Sequence, residues 1–421
     1  MRVKRAAATL LTCALAAACT RGERLPAPPA GGGLPGTEPV VRIGITVDSA
    51  TSGVSAGAPF TIEVPGGAAL AQGEPGETFV FRNDRGRLVA RSDRGRTIGP
   101  HDGLLRVTAR NDTVVLAGRG YRGAALVQAT DDGVTAINVV DLEAYLLGVV
   151  PREMGRRPAS EIEALKAQAV AARTYAIGNL QGRANRGFDF YATVADQVYG
   201  GVADEDSIVS RAVRETRGEI ATHNGRPILA YYSSTCGGRT AAIEDSWSWR
   251  GPLPYLRSVS DRIPGTDEHY CETSSRFRWE NEWTRAELLA VLGETLRAYT
   301  GGAVERVERV SDVRLAARND SDRATIEVTA DGRSYRVRAD SVRRVLLAEP
   351  DGPILNSSLL FDVEAQHDDQ GDVEVLRIDG GGWGHAIGMC QVGAMGRARA
   401  GHSYRDILTA YYTGIEIDRL Y

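Results

Sequence analysis

The chain is predicted to be an α+β protein, strand-rich in its N-terminal part, with a core beyond it that carries a few helices. Three observations predict this class. Short apolar runs broken by turn residues fill Val40 to Thr135, as in Phe79-Val80-Phe81, Asn83-Asp84-Arg85-Gly86 and Leu88-Val89-Ala90; this is the pattern of antiparallel strands. One long apolar stripe at helical spacing follows between Ser160 and Leu180. Alternating strands then return over Val310 to Val345 around an Asp331-Gly332 turn.

The elements follow in chain order. Arg2, Lys4 and Arg5 precede an apolar run from Ala6 to Ala18 and then Cys19, the arrangement of a secretory signal. That run is shorter than the ~20 apolar residues a spanning helix needs. Leu15-Ala16-Ala17-Ala18-Cys19 resembles a lipoprotein cleavage site, which makes Cys19 the expected lipid acceptor; ordinary small-residue cleavage is the alternative. Half of the residues from Thr20 to Pro39 are Pro or Gly, so this stretch reads as a tether. Tyr121 to Val140 predicts two strands around Asp131-Asp132-Gly133.

The clearest helix starts at Ser160, where Ser160 and Glu163 have capping-box spacing. Ile162, Leu165, Ala169, Ala172, Ala176 and Leu180 form its apolar face. Arg173 falls inside that face, and a guanidinium there needs a partner: either a group of the fold or a ligand in a groove. Thr284 to Ala298 predicts a second helix. Ser403 with Asp406 starts a last one through Ile407, Leu408, Ala410 and Tyr411, ending at Gly414.

With 421 residues the chain suffices for two or three structural units. A net charge of −4, with Lys4 and Lys166 the only lysines and the arginines scattered among acids, excludes the basic face of a nucleic-acid binder.

Five blocks carry the chemistry. They are Gly148-Val149-Val150-Pro151-Arg152-Glu153-Met154, Ala164-Leu165-Lys166-Ala167-Gln168-Ala169-Val170-Ala171-Ala172-Arg173-Thr174-Tyr175, Gln197-Val198-Tyr199-Gly200-Gly201, Tyr232-Ser233-Ser234-Thr235-Cys236-Gly237-Gly238-Arg239-Thr240, and Gly382-Trp383-Gly384-His385-Ala386-Ile387-Gly388-Met389-Cys390-Gln391. In these blocks and their order the chain resembles the SpoIID/LytB family from about Tyr121 to the C-terminus. The resemblance implies a SpoIID/LytB-like domain over 121–421, with a β-rich insertion around 301–346, behind a β-rich N-terminal region over 40–120. It departs from the family at Ala386, where Gly is usual, and at Cys390, where Ser is usual.

The resemblance implies that Glu153 is the catalytic acid of a lytic transglycosylase. Such an enzyme cleaves peptidoglycan glycan strands with one carboxyl group and leaves 1,6-anhydro-muramyl ends. Apolar neighbours Val149, Val150 and Met154 favour a protonated Glu153, whereas Arg152 and Arg173 would favour its ionised form. Gln168, Arg173, Trp383, His385 and Gln391 are the candidate substrate contacts. His385 reads either as part of a sugar-lined groove or as a satisfied core histidine. Tyr199, Tyr232 and Trp383 could stack on sugars or belong to the core.

Two other functions stay open: a peptidoglycan-binding enhancer of an N-acetylmuramoyl-L-alanine amidase, and a plain hydrolase whose second carboxylate would be Asp196 or Glu244. An oxidising exported compartment predicts a Cys236–Cys271 disulfide. The rival is a metal site of Cys236, Cys271 and His269, since members of the family bind zinc through cysteine and histidine; it lacks a Cys-x-x-Cys spacing. Cys390 is expected to be a buried small residue. No cofactor and no metal is expected. The location expected is the cell envelope, with a lipid anchor as the link to the membrane.

Overall fold

The computed structural model describes residues 36–349 and 352–421. The signal segment, Cys19 and most of the tether lie outside the described residues. Strand Val40–Ser49 runs antiparallel to Gly133–Asp141, with Val40 opposite Asp141 and Val41 opposite Val140, and parallel to Phe190–Tyr191. Ala124–Thr130 completes the expected hairpin, Thr130 facing Gly133. These strands belong to a seven-stranded sheet, beside which lies a six-stranded sheet made of residues between Thr51 and Arg122.

The alternation of the strands decides what they bury. Val41, Ile43, Phe60, Ile62, Phe79, Phe81 and Val107 point into the same core as Leu142, Tyr145, Val149 and Leu165. The N-terminal strands and the motif-bearing helices thus share one apolar interior, and no gap in it falls at residue 120.

The helices are α1 (Leu142–Met154), α2 (Ile162–Gly178), α3 (Ser207–Glu215), α4 (Ile243–Ser246), α5 (Arg285–Tyr299), α6 (Ser341–Val345), α7 (Gln391–Arg399) and α8 (Tyr404–Tyr411). The α2 helix is surrounded by α1, α3, α7 and α8. Its alanines at 164, 167, 169, 171, 172 and 176, all buried, let neighbours approach closely on several sides. The buried surface is therefore wider than the single predicted stripe.

Its start also differs from expectation. Ala159–Glu161 forms a short 3-10 turn with no side-chain cap. Glu163, instead of closing a box with Ser160, takes the Lys166 ammonium (2.8 Å) and the Tyr404 N–H (2.8 Å). Two stronger partners from the folded chain outcompete the local cap.

A second core is built from Trp283, Leu288, Leu292, Leu296, Val313, Ile326, Val328, Leu376 and Ile378. It lies between two three-stranded sheets, α5 and α6. Its strands run from Trp279–Thr284 to Val373–Gly381, a wider span than the expected 301–346. Helix α5 is capped by Thr284, whose hydroxyl accepts from the Glu287 N–H. The alternating strands end at Arg338, and Ser341–Val345 is helical instead.

The C-terminal α8 has the expected Ser403/Asp406 cap. It stops at Tyr411, short of Gly414, and the chain then returns as strand Glu416–Arg419 against Glu219–His223. No described helix is long and apolar enough to cross a membrane.

Candidate active site

Glu153 stands in the last turn of α1, after Pro151 and before Gly155, which leaves the helix at φ 69°. Such a positive φ favours glycine. The carboxyl group is half-buried. Its Oε1 accepts the Val198 backbone N–H at 3.1 Å, and its Oε2 accepts Gln391 Nε2 at 3.4 Å. The same Gln391 amide donates to Gln168 Oε1 at 3.4 Å, so α1, α2 and α7 meet at one polar cluster.

Burial raises the pKa of Glu153, and the Val198 and Gln391 hydrogen bonds offset part of that rise. Neither arginine named above stabilises the anion. Arg152 pairs with Asp204 at 3.3 Å, and Arg173 is engaged elsewhere.

Arg173 corrects the sequence reading. It is fully buried and forks onto Glu143, Nε to Oε1 at 2.7 Å and Nη2 to Oε2 at 2.9 Å. It also donates to the carbonyls of Glu219 (3.0 Å) and Val213 (3.4 Å). A bidentate carboxylate and two carbonyls satisfy the guanidinium inside the fold, so the partner it needs is a group of the fold.

The Gln197–Gly201 block explains how a backbone N–H reaches Glu153. Gln197 Oε1 accepts the Tyr145 hydroxyl (3.2 Å), while its Nε2 donates to the Tyr232 hydroxyl (3.0 Å) and the Ala172 carbonyl (3.3 Å). Tyr199 donates to Asn138 Oδ1 at 3.0 Å, and the Gly200 N–H donates to the Gly148 carbonyl at 3.1 Å. A Cβ on Gly148 would come within 2.6 Å of the Tyr199 ring. Glycine there lets the block lie against α1 with Val198 facing the carboxyl group. Tyr199 is thereby a core residue rather than a sugar platform. The Val198 donor escaped the sequence reading because a backbone N–H has no residue signature.

Gln391 touches Glu153, and Gln168 joins the cluster through Gln391. Trp383 and His385 make no hydrogen bond to Glu153. The Trp383 backbone pairs with Thr235, and its ring lies under the Arg276 guanidinium. His385 accepts the Ile387 N–H on Nδ1 at 3.0 Å and packs against Trp247 at 5.2 Å between ring centroids. Burial pushes its pKa down to about 4, so it is neutral at neutral pH. Ala386 holds φ 60°, in the left-handed region, so the departure from glycine falls where glycine costs least.

Asp196 accepts Arg183 (2.9 Å) and the Tyr191 N–H (2.8 Å), and Glu244 pairs with Arg257 (2.5 Å). Both candidate second carboxylates are held by arginine. Gln168 Nε2, Ser233 Oγ and Thr235 Oγ1 are buried without a hydrogen-bond partner, which leaves donors in the motif blocks free for a ligand or water.

The expected disulfide is absent. Cys236 and Cys271 are free, their sulfurs 3.7 Å apart against ~2.05 Å for a bond. Cys390, expected to be a bystander, joins them together with Asp261. His269 is not in this group; it packs on Phe277, with ring centroids 5.4 Å apart.

Fold and site thus define an α+β protein with one shielded glutamate among neutral donors. Residues 130–223 match the SpoIID family, stage II sporulation protein, and residues 256–388 match a domain of unknown function, DUF8618. The chain is 34% identical to an uncharacterized protein of Brachyspira hyodysenteriae over 73% of its own length and 74% of that protein's. It is 32% identical to the amidase enhancer of Bacillus subtilis over 64% of its length, a match that spans 39% of the enhancer. With stage II sporulation protein D of the same organism the identity is 28%, over 67% of this chain and 76% of that one. The chain belongs to the SpoIID/LytB family.

Proposed function

We propose that the chain is a peptidoglycan lytic transglycosylase in which Glu153 is the single acid and base. The observation that carries this reading is the setting of its carboxyl group: half-buried, its pKa raised, and hydrogen-bonded by neutral donors alone. Such a group holds its proton to a higher pH than an exposed glutamate does, which suits a general acid.

In the reaction Glu153 donates its proton to the glycosidic oxygen as the bond from that oxygen to the muramyl anomeric carbon breaks. The C6 hydroxyl of the same sugar attacks the anomeric carbon, and the Glu153 carboxylate takes the hydroxyl proton. The carboxyl group is restored and a 1,6-anhydro ring is formed. No second carboxylate is required, which suits a site where Asp196 and Glu244 are ion-paired. Gln391, itself held by Gln168, orients the carboxyl group; both glutamines meet the sugar, with Trp383 and His385 further along the substrate strand. The protein acts in the envelope, held by a lipid on Cys19.

The second reading, an enhancer that binds peptidoglycan and stimulates an N-acetylmuramoyl-L-alanine amidase, is favoured by the relative named amidase enhancer. Mass spectrometry of peptide-free glycan digested with the purified protein separates the two. Anhydro-muramyl ends, lost in Glu153→Gln, support the transglycosylase. Reducing ends mean hydrolysis, and intact glycan with a stimulated amidase means the enhancer.

A further inference from the structure

We propose that Cys236, Cys271, Cys390 and Asp261 bind one zinc ion in a closed tetrahedral site that holds the glutamine beside Glu153 in place. The three sulfurs and a carboxylate oxygen all lie within 4.8 Å of one another, and all four residues are fully buried. The Cys236 and Cys271 sulfurs are 3.7 Å apart, and Cys236 Sγ is 3.8 Å from Asp261 Oδ2. A tetrahedron with Zn–S bonds of ~2.3 Å has sulfur–sulfur edges of ~3.8 Å. The spacing is that of ligands around a common centre, too long for an S–S bond.

The surroundings orient these ligands from outside. Asp261 Oδ1 accepts the Tyr411 hydroxyl at 2.6 Å and lies 3.5 Å from Arg397, which leaves Oδ2 to the sulfurs. Cys390 Sγ, at the start of α7, accepts the backbone N–H groups of Cys236 (3.2 Å) and Gly393 (3.3 Å). N–H donors and a helix N-terminus favour a thiolate, and outer partners of this kind fix metal ligands. A Cβ on Gly393 would lie 2.1 Å from the Tyr411 hydroxyl and 2.4 Å from Asp261 Oδ2, so glycine lets the helix start close over the site. Three thiolates select a soft or borderline ion over magnesium or calcium. Four protein ligands leave no open position, which makes the ion structural.

The position gives the site its consequence. Cys390 immediately precedes Gln391, whose amide meets Glu153 and Gln168. The ion would clamp the start of α7 to the loop after Tyr232–Ser233 and to the Asp261–Cys271 segment.

The test is made on the full chain. Metal content is measured by elemental mass spectrometry, and the state of each thiol by alkylation in denaturant followed by peptide mapping. Cobalt(II) is then added to the chelator-treated protein. The expected result is one zinc per chain, Cys236, Cys271 and Cys390 all reduced, and a thiolate-to-cobalt charge-transfer band with tetrahedral d–d absorption. Asp261→Asn and Cys390→Ser should weaken zinc binding at least tenfold. A Cys236–Cys271 disulfide, or three reduced thiols that take up neither zinc nor cobalt, overturns the proposal. Both outcomes are read on the unmutated protein, so a variant that fails to fold does not blunt the test.

Discussion

Glu153 and His385 are both shifted by burial, in opposite senses, and each shift predicts a pH dependence of stability. For Glu153 the folded pKa lies above the ordinary 4.5. The native state therefore holds the proton more tightly than the unfolded chain, and stability falls as pH rises through that window. Glu153→Gln removes the cost of the buried charge. We expect it to be at least as stable as the parent at pH 7 in urea melts while forming no anhydro product. A variant destabilised at pH 7 but not at pH 4 would mean that the ionised form is the one the fold supports. His385 has its pKa lowered from 6.5 to about 4. The unfolded chain binds the proton first, so stability is full above pH 6.5 and declines as pH falls toward 4. His385→Gln should flatten that decline, and an unchanged slope would count against a buried neutral imidazole.

At the scale of elements, α1 and α2 are joined by the Glu143–Arg173 fork. Burial by itself would raise the pKa of Glu143; the Arg173 hydrogen bonds and charge reverse this and leave it lowered. Arg173→Met removes the cation and leaves a buried carboxylate with the Tyr421 hydroxyl (2.7 Å) and the Gly218 N–H (3.3 Å) as partners. Breaking such a pair costs about 3–5 kcal/mol, to be read from chemical denaturation. Activity per folded molecule should be unchanged. Full stability with lost activity would return Arg173 to the substrate groove.

At the scale of the whole molecule the described residues form two apolar interiors, and they make different demands. Trp283 is buried in the second and donates its indole N–H to the Leu347 carbonyl at 2.9 Å. Trp283→Ala should cost about 3–5 kcal/mol. The loss belongs to the region 279–381, so limited proteolysis should open bonds there first. The sheet of Val40–Ser49 and Gly133–Asp141 should stay protected from hydrogen exchange. Uniform loss of protection would mean that the two cores unfold as one unit.

Much of this was legible in the chain. Alternating apolar residues foretold the hairpin at Asp131-Asp132-Gly133 and Ser403 and Asp406 foretold the α8 cap, while the motif blocks mark the segments whose Glu153, Gln168 and Gln391 the fold brings into one cluster. Those signals are local: they depend on side-chain period and on spacings of a few residues. The partner of Arg173, the donor from Val198 and the meeting of Cys390 with Cys236 join segments 30, 45 and 154 positions apart. Packing chose them, since a buried charge or thiol is satisfied by whatever the folded interior brings within reach. The same packing helped to overrule the Ser160 cap, since Tyr404, 241 positions away, gives Glu163 its backbone N–H.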